Sequence, residues 1–349
     1  MALIGGIIPE NSRHSVIDRP ESVSLVSPPT TIIIVGGLTR LTDSGLSITQ
    51  WQLFSGILPP LNNDQWNNYF ELYKEIPEYK LQNYLMSLEE FKVIFWWEFI
   101  HRFLGRLVGI FFLLPLIFFF LKLGFKQTKN LFIIFILICL QGFIGWYMVG
   151  SGLIDRVDVS HYRLSIHLVL AFIILSMIFW NYLKYKEIKP SKHKIKNILP
   201  TIFLFLLFAQ IIIGAFVSGM DAGKIYNSWP LMGSGYFPDD NSITNLLNLS
   251  AFDDPALVQF MHRNLAYFIL LFYFLILINV YKNKLSTFFK VVNIIGLLLF
   301  LQIILGISTI LSGAQIFIAS MHQISSVFLV SSSIYLLYLN LNTNLQPSS

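Results

Sequence analysis

Charge is scarce in this chain: Asp, Glu, Lys and Arg make up 12% of its 349 residues, against 55% that are hydrophobic. A soluble domain carries about 25% charged residues, so lipid solvates most of this chain. Cysteine is almost missing. The single Cys139 lies inside an apolar run, which excludes a disulfide within one chain and a CxxC redox or zinc motif. The start also lacks a signal or transit peptide pattern. Residues 1–27 mix Glu10, Asp18 and Glu21 with Arg13 and Arg19, and no long apolar region follows. The net charge of +5 gives no nucleic-acid signal, because the lysines sit in short loops between apolar runs.

What the chain does have is long apolar runs. Residues 131–149, 198–220 and 264–280 carry no charge, 164–183 carries only His167, and 93–121 carries few charges. From Val291 to Ser349 there is none at all. A single crossing needs about 20 residues, so this last stretch predicts two helices, 291–311 and 315–340, turning at Ser312-Gly313-Ala314. These are seven spans. The run Ile32 to Leu38 is apolar but short and follows Pro28-Pro29, so it gives a weaker eighth.

Loop charge sets an orientation. Lys122, Lys126 and Lys129, the six lysines of 184–197, and Lys282, Lys284 and Lys290 mark cytoplasmic loops. Asp64, Glu71, Glu75 and Glu78 in one alternate loop, and Asp239, Asp240, Asp253 and Asp254 in another, mark external ones. With eight spans both termini are cytoplasmic. The long loop 41–91 is then external, and its segment Trp66 to Tyr84 reads as a polar-aromatic helix at the interface.

The chain repeats itself. Phe99-Ile100-His101-Arg102 matches Phe260-Met261-His262-Arg263 at an offset of 161, and Leu140-Gln141 with Gly145 match Leu301-Gln302 with Gly306 at the same offset. Upstream, Gly36, Asp43, Gly45 and Trp51 match Gly214, Asp221, Gly223 and Trp229 at 178, the first external loop being 17 residues longer. Each repeat has four spans, an even number, so the halves are parallel and related about the membrane normal. The fold expected is an all-α integral membrane protein of eight transmembrane helices, in two tandem, pseudo-twofold-related four-helix bundles. Its parts are an atypical N-terminal segment 1–31, a first half 32–183, a cytoplasmic linker 184–197, a second half 198–340 and a tail 341–349.

Four histidines fall on separate spans: His101, His167, His262 and His322. Ionisable residues inside a membrane are costly and mark function; the bland alternative is a histidine bonded across helices. Equivalent placement in two repeats favours function. All four read as lying within about two turns of the outer helix ends, so each half offers two imidazoles at one depth, as four-helix bundles do to a haem. One turn after each stands a small residue, Gly105, Ala171, Ala266 or Ser326, which leaves space for a flat macrocycle or simply for helix contact. Zinc fits less well, since no compact set of three or four ligands is visible. Arg102, Arg163 and Arg263 are placed to meet outward haem propionates or to snorkel. His14 and His193 lie in polar segments, and His161 at the edge of a span; none of the three is given a role.

Taken together, Gly36 to Thr42, Ser44 to Ser47, Glu98 to Arg102, Gln141 to Val149, Asp221 to Asn227, Phe260 to Arg263 and Met321-His322-Gln323 resemble the haem A synthase family. The resemblance covers about residues 32–340 and is to the branch without paired external cysteines, as in alphaproteobacteria and mitochondria. It implies oxidation of a methyl group of haem O to the formyl group of haem A for terminal oxidases, in a bacterial inner membrane. It implies one half for substrate haem and another holding haem b, with His101, His167, His262 and His322 as iron ligands. Membrane lipid and the haem O synthase that delivers substrate are the expected partners, the electron acceptor is not named, and a homo-oligomer stays open. The family's full first helix is where this sequence departs, because residues 1–31 do not read as one.

Glu98 separates the enzyme from a di-haem b-type electron carrier. A carboxyl beside a haem ligand suits proton handling, and the equivalent position in the second half is Gln259, which cannot exchange a proton. This assigns catalysis to the first half through Glu98, His101 and His167. The competing reading is that Glu98 pairs with Arg102 one turn on. A transporter with midplane sites fits poorly, because the polar residues lie near the outer face.

Overall fold

A computed structural model describes residues 27–343 except 52–54, 187, 189, 192 and 197. Its helices are α1 (Ser27–Leu41), α2 (Asn63–Lys74), α3 (Pro77–Leu81), α4 (Leu88–Leu123), α5 (Phe125–Asp155), α6 (His161–Tyr185), α7 (Ile198–Gly219), α8 (Pro255–Lys282), α9 (Ser286–Leu311) and α10 (Ile316–Leu341). Seven of them, α4 to α10, are long and apolar enough to cross a membrane. α1 supplies the shorter apolar eighth, Pro29–Leu41. It begins at Ser27 and not at residue 32, because Pro28 and Pro29 occupy the first turn, where proline removes no helix bond. Residues 1–26, including His14, lie outside the described residues.

Local chemistry fixes the boundaries. Ser87 and Glu90 form a reciprocal capping box that starts α4, and Gly124, at φ +76°, ends α4 and leads directly into α5. Asp254 accepts the Leu257 N–H and Pro255 opens α8. The α9–α10 turn falls where expected, with Gly313 and Ala314 both at positive φ. Asp43 and Asp221, equivalent in the repeat, also share a left-handed backbone (φ 48° and 51°) just past the first helix of each half.

α1, α4, α5 and α6 make one bundle and α7 to α10 the other. Phe112, Leu116, Leu131, Ile134, Leu170 and Ile174 fill the first. Phe203, Leu207, Ile269, Tyr273, Phe288 and Ile295 fill the second. The halves meet where α6 packs on α7 and where α1 and α6 pack on α10, the latter through Ile33, Phe172, Leu175, Val327, Val330 and Ile334. α10 is the most buried of the seven spans for this reason. At one end of the bundles Arg40 of α1 pairs with Asp43 and reaches Asp221 of the other half at 3.5 Å. At the opposite end the linker is tied to α10, the Ile195 N–H donating to Asn340 (2.7 Å) and the Ser191 N–H to the Asn342 carbonyl (2.9 Å).

α4 extends several turns beyond the bundle; α2 folds against that extension through Phe70, Tyr73, Phe91 and Phe95, and α3 packs on α5. Within this outer layer Glu78 is buried, accepting from the Tyr73 hydroxyl (3.1 Å) while its Oε2 has no partner. Burial above all pushes its carboxyl up to about 8 from the usual 4.5, and nearby Glu98, Asp158 and Asp43 push the same way. The folded protein therefore keeps a proton on Glu78 where the unfolded chain has lost it. The stability so supplied is full below 4.5 and drains away as the pH rises through about 8. Cleavage of the exposed Lys80 bond by trypsin should accelerate over that window in the wild type and hardly change in Glu78→Gln. Equal slopes in both proteins would contradict the assignment.

Candidate functional site

The four histidines come together as two pairs, one in each half. His101 on α4 faces His167 on α6 with ring centres 6.4 Å apart, and His262 on α8 faces His322 on α10 at 6.5 Å. The rings are steeply inclined to each other, at 71° and 78°. Two imidazole nitrogens bonded in line to one metal ion at about 2.0 Å put the ring centres about 6 Å apart. Both pairs are therefore spaced to share one ion from opposite sides. The Nδ1 atom of each histidine is buried without a hydrogen-bond partner. The spacing of the rings is the observation that fits a haem held between the two histidines of each pair.

Glycine makes the pairing possible. A Cβ on Gly36 would lie 2.7 Å from His101 Cε1, on Gly145 3.0 Å from that of His167, on Gly214 3.0 Å from that of His262, and on Gly306 3.2 Å from that of His322. Each ring thus lies against a glycine on a neighbouring helix: α1, α5, α7 and α9. These four glycines serve as markers of the repeat in the sequence, yet their contact with the histidines is not deducible there, because an offset does not say which helices face. The small residue one turn after His101, Gly105, instead leaves room for Ile32 of α1, whose Cδ1 would be 3.6 Å from an added Cβ. His101 is also deeper into its helix than two turns, because α4 projects outward to meet α2.

Glu98 is buried and fully engaged. Its Oε1 accepts from Arg102 Nε (3.0 Å) and Arg102 NH2 (2.5 Å), and its Oε2 from the Ser47 hydroxyl and the Ile48 N–H, both at 2.7 Å. The Arg102 pair weighed from the sequence is thus present. Ser47 is a partner that its place in the 44–47 motif does not reveal. In the other half Gln259 donates to the Tyr226 carbonyl at 3.1 Å.

Arg102 and Arg263 hold loops, and Arg163 holds α5. Arg102 also donates to the carbonyls of Ile48 (2.9 Å) and Gln50 (3.4 Å), and stands 5.2 Å over Trp51. Arg263 donates to Tyr226 (3.0 Å) and Leu231 (3.3 Å), with its Nε buried and unpartnered. Ile48 and Tyr226 are equivalent by the 178-residue offset, so the duplication extends to these bonds. Arg163 donates to Ser151 and lies 4.8 Å over Tyr147. His161 contacts Asp253 (3.3 Å) and Phe216 across the halves, and His193 meets Thr287 at 3.3 Å, so neither belongs to the paired sites.

This fold and these pairs define a class: a membrane protein of two tandem helical bundles, each with a buried histidine pair fit for a haem. The model of the COX15-CtaA family, described as cytochrome oxidase assembly protein, matches residues 25–334, and the chain belongs to that family. Its relatives include a haem A synthase of Pelagibacter ubique, 52% identical over 324 residues, which cover 92% of this chain and 95% of the relative. Haem A synthases of Rickettsia bellii and Rickettsia felis are 42% and 41% identical over 315 and 309 residues, each covering 86% of this chain and 91% of the relative.

Proposed function

We propose that this protein is a haem A synthase, oxidising a methyl group of haem O to a formyl group in the membrane. The observation that carries this is one 6.4–6.5 Å histidine pair in each half of a chain 52% identical to a haem A synthase over nearly its whole length. His262 and His322 would hold a resident haem b, which would supply one-electron redox chemistry there. His101 and His167 hold the substrate haem. Turning a methyl into a formyl group with oxygen from water yields protons and electrons, the electrons passing to an external acceptor, and among the described residues only the first half carries a carboxyl three residues before its ligand. Glu98 is assigned that proton-handling role, with Arg102 fixing its orientation. Arg163 and Arg263 are assigned to haem propionates; the unpartnered Nε of Arg263 supports this for the second half. The enzyme receives haem O from the synthase that makes it.

Expression in a bacterium that makes haem O but no haem A tests the activity. Haem A should appear in its membranes; haem O alone would refute the function. The proposed setting is a bacterial inner membrane with both termini cytoplasmic, supported by the alternation of lysine-rich and acidic loops. With Cys139 replaced by serine, a cysteine at the exposed Asn67 should react with an impermeant reagent on spheroplasts. One at the exposed Lys194 should stay unlabelled until the membrane is opened. The reverse pattern would invert the topology and place both sites near the cytoplasm.

A further inference from the structure

Three of the four histidines are braced by a glutamine from a neighbouring helix. Gln141 on α5 donates to the His167 carbonyl and Gln302 on α9 to the His322 carbonyl, each at 3.0 Å. These two are equivalent in the repeat. Gln210 on α7 donates to the His262 carbonyl at 3.0 Å, and the same amide nitrogen lies 3.3 Å from His262 Nε2. By the 178-residue offset the counterpart of Gln210 is Ile32 on α1. An isoleucine has nothing to donate, so α1 faces the His101 helix with Ile32 and Gly36 at this level.

The polar ties of α1 run elsewhere. Gln323, next to the ligand His322, donates across the halves to the Ile33 carbonyl at 3.0 Å and lies on Gly37. Thr39 reaches the Trp97 carbonyl at 3.3 Å, one turn outward of His101. At Ile33, α1 is tied by a hydrogen bond to the second half, while its bond to α4, from Thr39, lies one turn outward of the ligand.

We propose that the Gln210/Ile32 difference decides which half retains its haem and which half exchanges it. This rests on the reading that the first half handles the substrate. A substrate site must open and close at every turnover, whereas a resident site need not. At the level of His101, α1 meets α4 through Gly36 against the ring and Ile32 against Gly105, and separating these apolar contacts loses little in lipid. Separating α8 from α7 breaks the Gln210 bond where no water can replace it. One such bond corresponds to about tenfold in a rate of opening. Gln210 is thus a positioning residue for the second-half ligand, and Ile32 makes the first site the one that opens.

The test is transfer of each haem from the purified full-length protein to apomyoglobin, with the transferred haem identified by mass. Gln210→Met, of equal length but without a donor, should release haem b about tenfold faster and leave the substrate haem unchanged. Ile32→Gln should slow release of haem O or haem A by a similar factor. A merely structural role for Gln210 predicts faster loss from both halves alike, and that result would overturn the proposal. So would unchanged rates in both variants. If Gln210→Met freed only haem O or A, and Ile32→Gln retained haem b, the swap would stand and the assignment of the halves would be reversed. Should Gln210→Met fail to accumulate, Ile32→Gln decides alone, and an unchanged release rate there overturns the proposal.

Discussion

Replacing His262 and His322 together by alanine removes the haem of the second half and leaves the His101/His167 pair occupied. The two pairs are in separate bundles, each filled by its own apolar core. Loss of one pair therefore leaves the scaffold of the other in place. The expected haem content falls from about two per chain to about one, with the bis-histidine spectrum of the surviving site retained. Single substitutions act more mildly, because a haem with one axial histidine can stay as a five-coordinate species. Their readout is the spectrum as well as the content. Replacing His101 and His167 instead should spare the resident haem and abolish conversion of haem O. Four single variants with unchanged spectrum and unchanged haem A production would show that these histidines bind no iron.

Glu98→Gln is expected to stall conversion of haem O by at least about a hundredfold, the contribution typical of a positioned acid or base, while both haem sites keep their histidines. Activity alone does not decide its role. Glu98 and Arg102 are a buried pair, their side chains 3% and 10% exposed, and breaking such a pair by removing one partner costs about 3–5 kcal/mol. Glutamine would also set an amide against the donors of Arg102, Ser47 and Ile48. The cycle of Glu98→Gln, Arg102→Gln and the double variant separates the roles. If the pair only holds α4 to the 44–50 loop, both single variants lose conversion equally and the double is no worse than either. If Glu98 handles protons, Glu98→Gln loses far more than Arg102→Gln at equal haem content, and the double follows Glu98→Gln. Gln259→Glu serves as the control for damage by a changed charge at the equivalent position.

Much of this architecture is legible in the sequence for a physical reason: lipid demands long uncharged helices, and duplication writes each motif twice. The spans from α4 to α10, the α9–α10 turn and the parallel halves follow from those two facts. The start of α1 is not legible, since Pro28-Pro29 reads as a breaker until it is seen to occupy a first turn. The outer layer is only half legible. The helix expected from Trp66 to Tyr84 is two, α2 (Asn63–Lys74) and α3 (Pro77–Leu81), and Tyr73 and Glu78 are buried within that layer. The histidine pairing follows from equivalent spacing, whereas its support does not. Gly36, Gly145, Gly214 and Gly306 and the glutamines 141 and 302 all stand in or beside the repeated motifs. Their contacts depend on helix rotation, which no offset encodes. Gln210 was silent because its partner position holds an isoleucine and so breaks the repeat.

The central claim is that the two halves hold unlike haems on like histidine pairs. Extraction of the haems from the purified wild-type protein, with identification by mass, tests it most directly. The account predicts haem b together with haem O or haem A. Two molecules of haem b, as a di-haem electron carrier would contain, or no haem at all, would contradict it.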